Sequence, residues 1–322
     1  MGKRFCLSIG IFVLFVFVCS CSNTGSKQSF SNKEEADSFS LRVALTPTID
    51  CVPFLYAYDR GFYHDKDLSV KFYVLNSLLD CETAMRNKNA DIVSGDLIKA
   101  VKNQQSDKQR ITVVMATEAC WKLLASREVR MKKLSQLKDR TMAVARFTVT
   151  DYLSDVYAKR GNLNPNEIYR PQINDVALRA QMLNEKQIET AVLPEPQATI
   201  ACVYGNKVVS RETEKDGYGL GCLMGYDNVL WSEKKRGHVQ TLLAGYDWAA
   251  AELNRKGISY RDSILLKYNM VKDIKVLKRI KWPTYRKSIL ADPADLNKAI
   301  VFLKSRGISV NVLPIINRKW SK

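Results

Sequence analysis

Polar side chains able to hold a small molecule gather in six short stretches of this 322-residue sequence: 46–51, 76–77, 94–96, 117–118, 146–150 and 194–196. Together they supply hydroxyls from Thr46, Thr48, Ser77, Thr148 and Thr150, an amide from Asn76, carboxylates from Asp50, Asp96, Glu118 and Glu195, and one guanidinium from Arg146. Such a set binds and orients. Bond-breaking chemistry has little to build on, because His64 and His238 are the only histidines and neither completes a Ser-His-Asp or metal-hydrolase motif. Four carboxylates against one guanidinium reverse the balance of the whole chain. The reversal points to a ligand carrying an amine, amidine or aminopyrimidine group and disfavours bare nitrate or sulfate.

Each of these residues also has a plainer reading. Thr148 serves equally well as a helix N-cap, accepting from the amides of the first turn. Arg146 is either a bidentate clamp for a carboxylate or sulfonate or an ordinary surface arginine. Glu195, held between Pro194 and Pro196, either touches ligand or caps a strand end. Trp121 reads better as a core or hinge residue than as a stacking platform.

Eight cysteines are present, and five lie beyond residue 40: Cys51, Cys81, Cys120, Cys202 and Cys222. No two have the spacing of a zinc-binding pair, so neither a metal nor a cofactor is expected. Cys202 and Cys222 read as buried apolar fillers. Cys51, Cys81 and Cys120 each follow a strand end, which leaves open a disulfide between two of them, soft-metal capture, or neither.

Alternating strands and helices must position these stretches. Residues 41–46 form the first strand, and a helix runs from Pro53 to the stop at Gly61, with Pro at its start and Gly at its end. Alternation of Leu68, Val70, Phe72 and Val74 with polar neighbours marks a second strand. A helix over 80–87, a strand over 91–94, a helix over 96–104 and the apolar strand 111–116 complete a first α/β unit. The rhythm then repeats: strands at 121–126 and 141–145, a helix over 149–160 with an apolar stripe from Val149 to Tyr157, a strand near Ile168, a helix over 174–183 and a strand at 190–193. A strand over 219–224 precedes a long helix from Ser232 to Arg255 ending at Gly257. The remainder is expected to be mostly helical, closing with a helix that has Pro293 in its first turn. In open α/β sheets ligands sit beyond the carboxyl ends of the strands, and that rule selects the six stretches above.

The N-terminus reads as an address. Lys3-Arg4 is followed by a 14-residue run from Phe5 to Val18, mostly apolar, and then by small and polar residues. That order is a secretory signal over residues 1–20, too short for a lasting span of about 20 apolar residues. Val18-Cys19-Ser20-Cys21 resembles a bacterial lipobox, making Cys21 the lipidation site, with plain secretion and cleavage near Ser20 as the other reading. Residues 21–40 then form a polar tether. The formal charge is +17, of which Lys3 and Arg4 contribute two. Export argues against nucleic acid as a partner and for proximity to a membrane. The expected location is outside the cytoplasm, lipid-anchored in the periplasm or cell envelope, and the expected state is a monomer.

Certain of these residues carry a family resemblance. Arg42-Val43-Ala44-Leu45-Thr46-Pro47, Arg60-Gly61-Phe62-Tyr63, Asp67-Leu68-Ser69-Val70 and Ala90-Asp91-Ile92 with Gly95 resemble the N-terminal lobe of ABC-importer solute-binding proteins of the nitrate, taurine and sulfonate group. This group shares its fold with binders of thiamine-pyrimidine precursors. Leu137-Lys138-Asp139-Arg140, Thr148 to Tyr152 and Leu193-Pro194-Glu195-Pro196 continue the likeness, with Asp139 where the family usually has Gly. The resemblance covers roughly residues 41–205. It implies a periplasmic-binding-protein type II clamshell of two α/β lobes, each a mainly parallel sheet flanked by helices, closing on ligand by hinge motion. Lobe one would comprise residues 41–120 and 225–322, lobe two 121–224, with crossings near Cys120-Trp121 and Met224-Gly225. The implied partners are a small-molecule ligand and an ABC permease with its ATPase. The competing readings are an enzyme of the same fold, related to thiamine-pyrimidine or menaquinone-pathway enzymes, and a sensing or scaffolding lipoprotein.

Overall fold

The computed structural model describes residues 41–211 and 218–316. The expected signal, Cys21 and the tether therefore lie outside the described residues. β1 (Leu41–Leu45) is almost wholly buried and leads through a tight turn at Ile49–Cys51 into α1 (Val52–Asp59), with Pro53 in its first turn. β2 (Val70–Val74), α2 (Leu78–Arg86), β3 (Ile92–Asp96), α3 (Leu97–Ser106) and β4 (Ile111–Ala116) follow. The next group is β5 (Trp121–Ala125), β6 (Met142–Ala143), α4 (Val149–Arg160), α5 (Val176–Asn184), β7 (Thr190–Pro194), α6 (Gln197–Val203) and β8 (Lys207–Arg211). Finally come β9 (Gly221–Tyr226), α7 (Asp227–Leu230), α8 (Glu233–Lys256), α9 (Ile258–Lys267), α10 (Ile274–Leu277), α11 (Pro293–Ser305) and β10 (Ile315–Ile316).

Two sheets organise these elements. The larger has the order β10-β4-β9-β3-β1-β2 and the smaller β6-β7-β5-β8. In the larger sheet β9 runs antiparallel to both neighbours, Met224 standing opposite Val93 on β3 and Val113 on β4. In the smaller sheet β5 is antiparallel to β7 and β8. The other adjacent pairs, β1 with β2 and β3, β4 with β10, and β6 with β7, are parallel. The two reversed strands have one cause. β4 ends at the boundary between the sheets, so the strand that enters the other sheet from there must run away from the boundary; β9, on the return journey, does likewise.

The structure revises several boundaries. Residues 221–224, expected before the second crossing, pair with β3 and β4 and so belong to the larger sheet. The expected strand near Ile168 is reduced to isolated bridges, Tyr169 to Thr141 and Gln172 to Val144. β8 and β10 were not foreseen. The tail is less helical than expected, since residues 278–292 run mostly without helix. It nevertheless returns to the first unit: α8 packs on α1, and Ala116 donates to the Ile289 carbonyl at 2.8 Å.

The lobes meet closely. One apolar core is continuous between them, including Val93 and Val113 on one side and Leu123, Val149 and Leu153 on the other. Tyr152 of α4 meets Phe302 of α11 edge-on, ring centroids 5.8 Å apart. Polar bridges reinforce the contact: Ile49 N–H donates to the Glu195 carbonyl at 3.1 Å, Val176 N–H to the Asn76 carbonyl at 3.1 Å, and the Gln197 amide to the Pro47 carbonyl at 2.9 Å. Arg306, the C-cap of α11, donates to Asp155 at 2.9 Å and Asp151 at 3.3 Å on α4.

Candidate functional site

A cleft between the two sheets holds a cavity of about 80 Å³ that opens to solvent. Six of the sequence-selected residues line it together: Thr46, Thr48, Asp50, Arg146, Thr148 and Thr150. The first three follow the carboxyl end of β1, and the last three lie on the loop after β6 and the first turn of α4, where the strand-end rule selects them. Trp121, at the start of β5, adds an indole to the wall, with Leu78, Val149 and Val176 supplying aliphatic surface.

Asp50 dominates the electrostatics. Its side chain is buried, and burial pushes its pKa above the ordinary carboxylate range, opposed by the hydroxyls of Thr48 and Thr117. No described cation forms an ion pair with it. Of the three cations that share the cleft wall, Lys99 and Arg179 are otherwise engaged. Lys99 donates to Glu82 at 2.6 Å. Arg179, buried on α5, donates to the carbonyls of Val192 at 2.7 Å and Ile173 at 3.0 Å, and burial lowers its pKa to about 10. Arg146 stands exposed at the rim.

The N-terminus of α4 is already supplied with an anion. A helix N-terminus presents unpaired amides and a partial positive charge, which attract negative groups. Here Val149 N–H donates to Asp96 Oδ2 at 2.9 Å, while Asp96 Oδ1 accepts from Lys99 N–H at 2.8 Å and caps its own helix α3. Asp96 thus serves two helices in two lobes, and burial pushes its pKa up to about 6. Thr148 is the N-cap of α4: its hydroxyl accepts from Thr150 N–H at 3.2 Å and donates to the Ala145 carbonyl at 2.7 Å. The Thr150 hydroxyl accepts from Ala145 N–H at 2.9 Å.

Five selected residues lie outside the cleft lining. The Asn76 side chain is exposed, and Ser77 caps α2 by accepting from Asp80 N–H at 3.0 Å. Asp96 holds the lobes together as described. Glu118 pairs with Arg286 at 2.6 Å. Glu195 is buried, paired with Lys122, and accepts from Thr199 N–H at 3.1 Å. Sequence reasoning did not select Lys99, Gln172, Asn174 or Arg179. Gln172 and Asn174 follow the weak strand near Ile168 and were within reach of the strand-end rule; Lys99 and Arg179 project from helices and carry no local signal.

Cys51, Cys81 and Cys120 are free thiols, so no disulfide joins any two of them. Burial raises the Cys51 and Cys120 thiols to about 12. Cys222 is buried as expected, whereas Cys202 is only half-buried.

No family model matches the sequence, and no curated protein matches it. Solved structures do. The ligand-binding component of an ABC-type import system from Staphylococcus aureus superposes with a TM-score of 0.70 at 14% identity, over 85% of this chain and 94% of that one. The periplasmic aliphatic sulphonate binding protein SsuA from Escherichia coli gives a TM-score of 0.68 at 14% identity, covering 83% and 88%. A Candida albicans protein described as having the generic periplasmic binding protein structural fold gives 0.65 at 14% identity, covering 84% and 91%. With two helix-flanked sheets, one reversed strand in each and a cleft between them, this chain has the periplasmic binding protein fold.

Proposed function

We propose that the chain is the extracytoplasmic solute-binding component of an ABC importer, capturing a small polar nutrient that bears an amine or a similar cationic nitrogen. Asp50 carries this reading: a buried carboxylate on the cleft wall, with no described cation paired to it, while Lys99 and Arg179 are committed elsewhere. A ligand ammonium would relieve the burial penalty on Asp50 by supplying the charge it lacks. Trp121 and the aliphatic wall would hold the ligand's apolar part. The anionic partner that the α4 N-terminus favours is already Asp96, which weighs against a bare oxyanion. Signal cleavage, lipidation at Cys21 and delivery to a permease driven by its ATPase complete the proposal, and the solute-binding roles stated for the S. aureus and E. coli neighbours support it.

Isothermal titration against a panel of small amines and a panel of oxyanions tests it. The expected result is tight binding confined to the amine panel and weakened ten- to a hundredfold in Asp50→Asn, the cost of one buried charge-assisted hydrogen bond of about 1.5–3 kcal/mol. Tight binding of a simple oxyanion alone, unchanged in Asp50→Asn, would sink the reading.

A further inference from the structure

The cationic surface of lobe one is unevenly built. Within residues 272–281, Lys272, Lys275, Lys278, Arg279 and Lys281 are all exposed, and the only acid, Asp273, is spent capping α10 through Lys275 N–H at 2.8 Å. None of the five cations forms an ion pair with another described residue. The segment is anchored from beneath by Val276, Leu277 and Ile280, all buried in the core of the larger lobe. Its amphipathic pattern thus fixes the cations on the outer side. Among them Ile274 stands 64% exposed, an aliphatic side chain surrounded by positive charge.

We propose that this strip docks on a membrane surface of anionic phospholipid headgroups. Four of its five cations are lysines, compact point charges on flexible stems that need no fixed bidentate partner, which suits a fluid layer of phosphates better than a shaped protein pocket. An exposed isoleucine between them can enter the boundary below the headgroups, the combination seen in interfacial segments. The inference does not depend on what the cleft binds.

The test is co-sedimentation of the unacylated chain from Ser22 onward with vesicles of pure phosphatidylcholine or of phosphatidylcholine with 30–40% phosphatidylglycerol, roughly the range that gives a strongly anionic surface. Binding to the anionic vesicles alone is expected, weakening as salt shortens the screening length. Replacing Lys272, Lys275, Lys278 and Lys281 by Gln should weaken it roughly six hundredfold, since each cation near such a surface contributes roughly fivefold. A control replacing the exposed and scattered Lys88, Lys108, Lys132 and Lys159 by Gln should lose less than a tenth of that, with both variants checked for native circular dichroism. Equal loss in the control, equal binding to neutral vesicles, or retention on polyglutamate beads without vesicle binding each overturns the proposal; the last would identify an acidic protein surface as the partner.

Discussion

Asp96 offers a quantitative test of how the lobes are joined. Its carboxylate is fully buried, and its folded pKa of about 6 stands above the ordinary value of 3.8. Below about pH 4 the group is protonated in folded and unfolded chains alike. Between the two values the folded chain holds a proton that the unfolded chain has released, so stability falls as pH rises through this window and is level above it. A shift from 3.8 to about 6 corresponds to about 3 kcal/mol of stability present below pH 4 and lost above pH 6. Asp96→Asn abolishes that titration. The amide resembles the protonated acid in shape and hydrogen bonding: its oxygen can accept from Lys99 N–H or Val149 N–H, but not both. Its constant cost therefore cancels when one variant is followed across pH. Urea unfolding of both proteins at pH 4, 5, 6 and 7 measures the difference directly. We expect Asp96→Asn to gain about 3 kcal/mol on the native protein between pH 4 and pH 7. Parallel stability curves, or a gap that moves the other way, would refute the placement of Asp96 as a buried charge shared by two helix ends.

Arg306→Gln removes the guanidinium that reaches from α11 to Asp151 and Asp155 on α4, and small-angle scattering without ligand should then show a larger radius of gyration as the lobes part; an unchanged radius would mean the bridge does not hold the lobes together. In Gly161→Ala the new Cβ would lie 2.7 Å from the Leu134 backbone carbon and oxygen, so unfolding should come about 1–3 kcal/mol earlier, and a loss under half a kcal/mol would show that this loop yields. With iodoacetamide at pH 8, Cys51, Cys81 and Cys222 should resist alkylation until denaturant is added, because burial keeps each thiol protonated; mass spectrometry showing rapid native labelling of any of them would contradict the packing.

Local signals carried a good part of the fold. Thr148 before Val149 and Pro293 after Asp292 marked helix starts that the structure places at the same residues. Where the pattern failed, the missing information was non-local. Residues 221–226 read as a strand in either lobe, and only their pairing with Val93 and Val113 assigns them to the larger sheet. β8, with just Val208 and Val209 as its apolar residues, offers too little alternation to be read. The strand-end rule selected the threonines and Asp50 that line the cleft, but it could not tell a carboxylate with no described cation beside it from one held by a neighbour. Glu195 and Glu118 are such cases, since Lys122 and Arg286 lie 73 and 168 residues away from them in sequence.

The position of β9 also dictates an order of assembly. It fills the gap between β4 and β3, so the larger sheet remains in two pieces, β3-β1-β2 on one side and β4 on the other, until residue 226 is available. The smaller sheet is made from one unbroken stretch and has all four strands once residue 211 has emerged. A chain delivered from its N-terminus would complete its second lobe first. β3 and β4 would wait with unpaired edges for a strand made more than a hundred residues after β4, a long-range closure of the kind that slows folding and exposes edges to other chains.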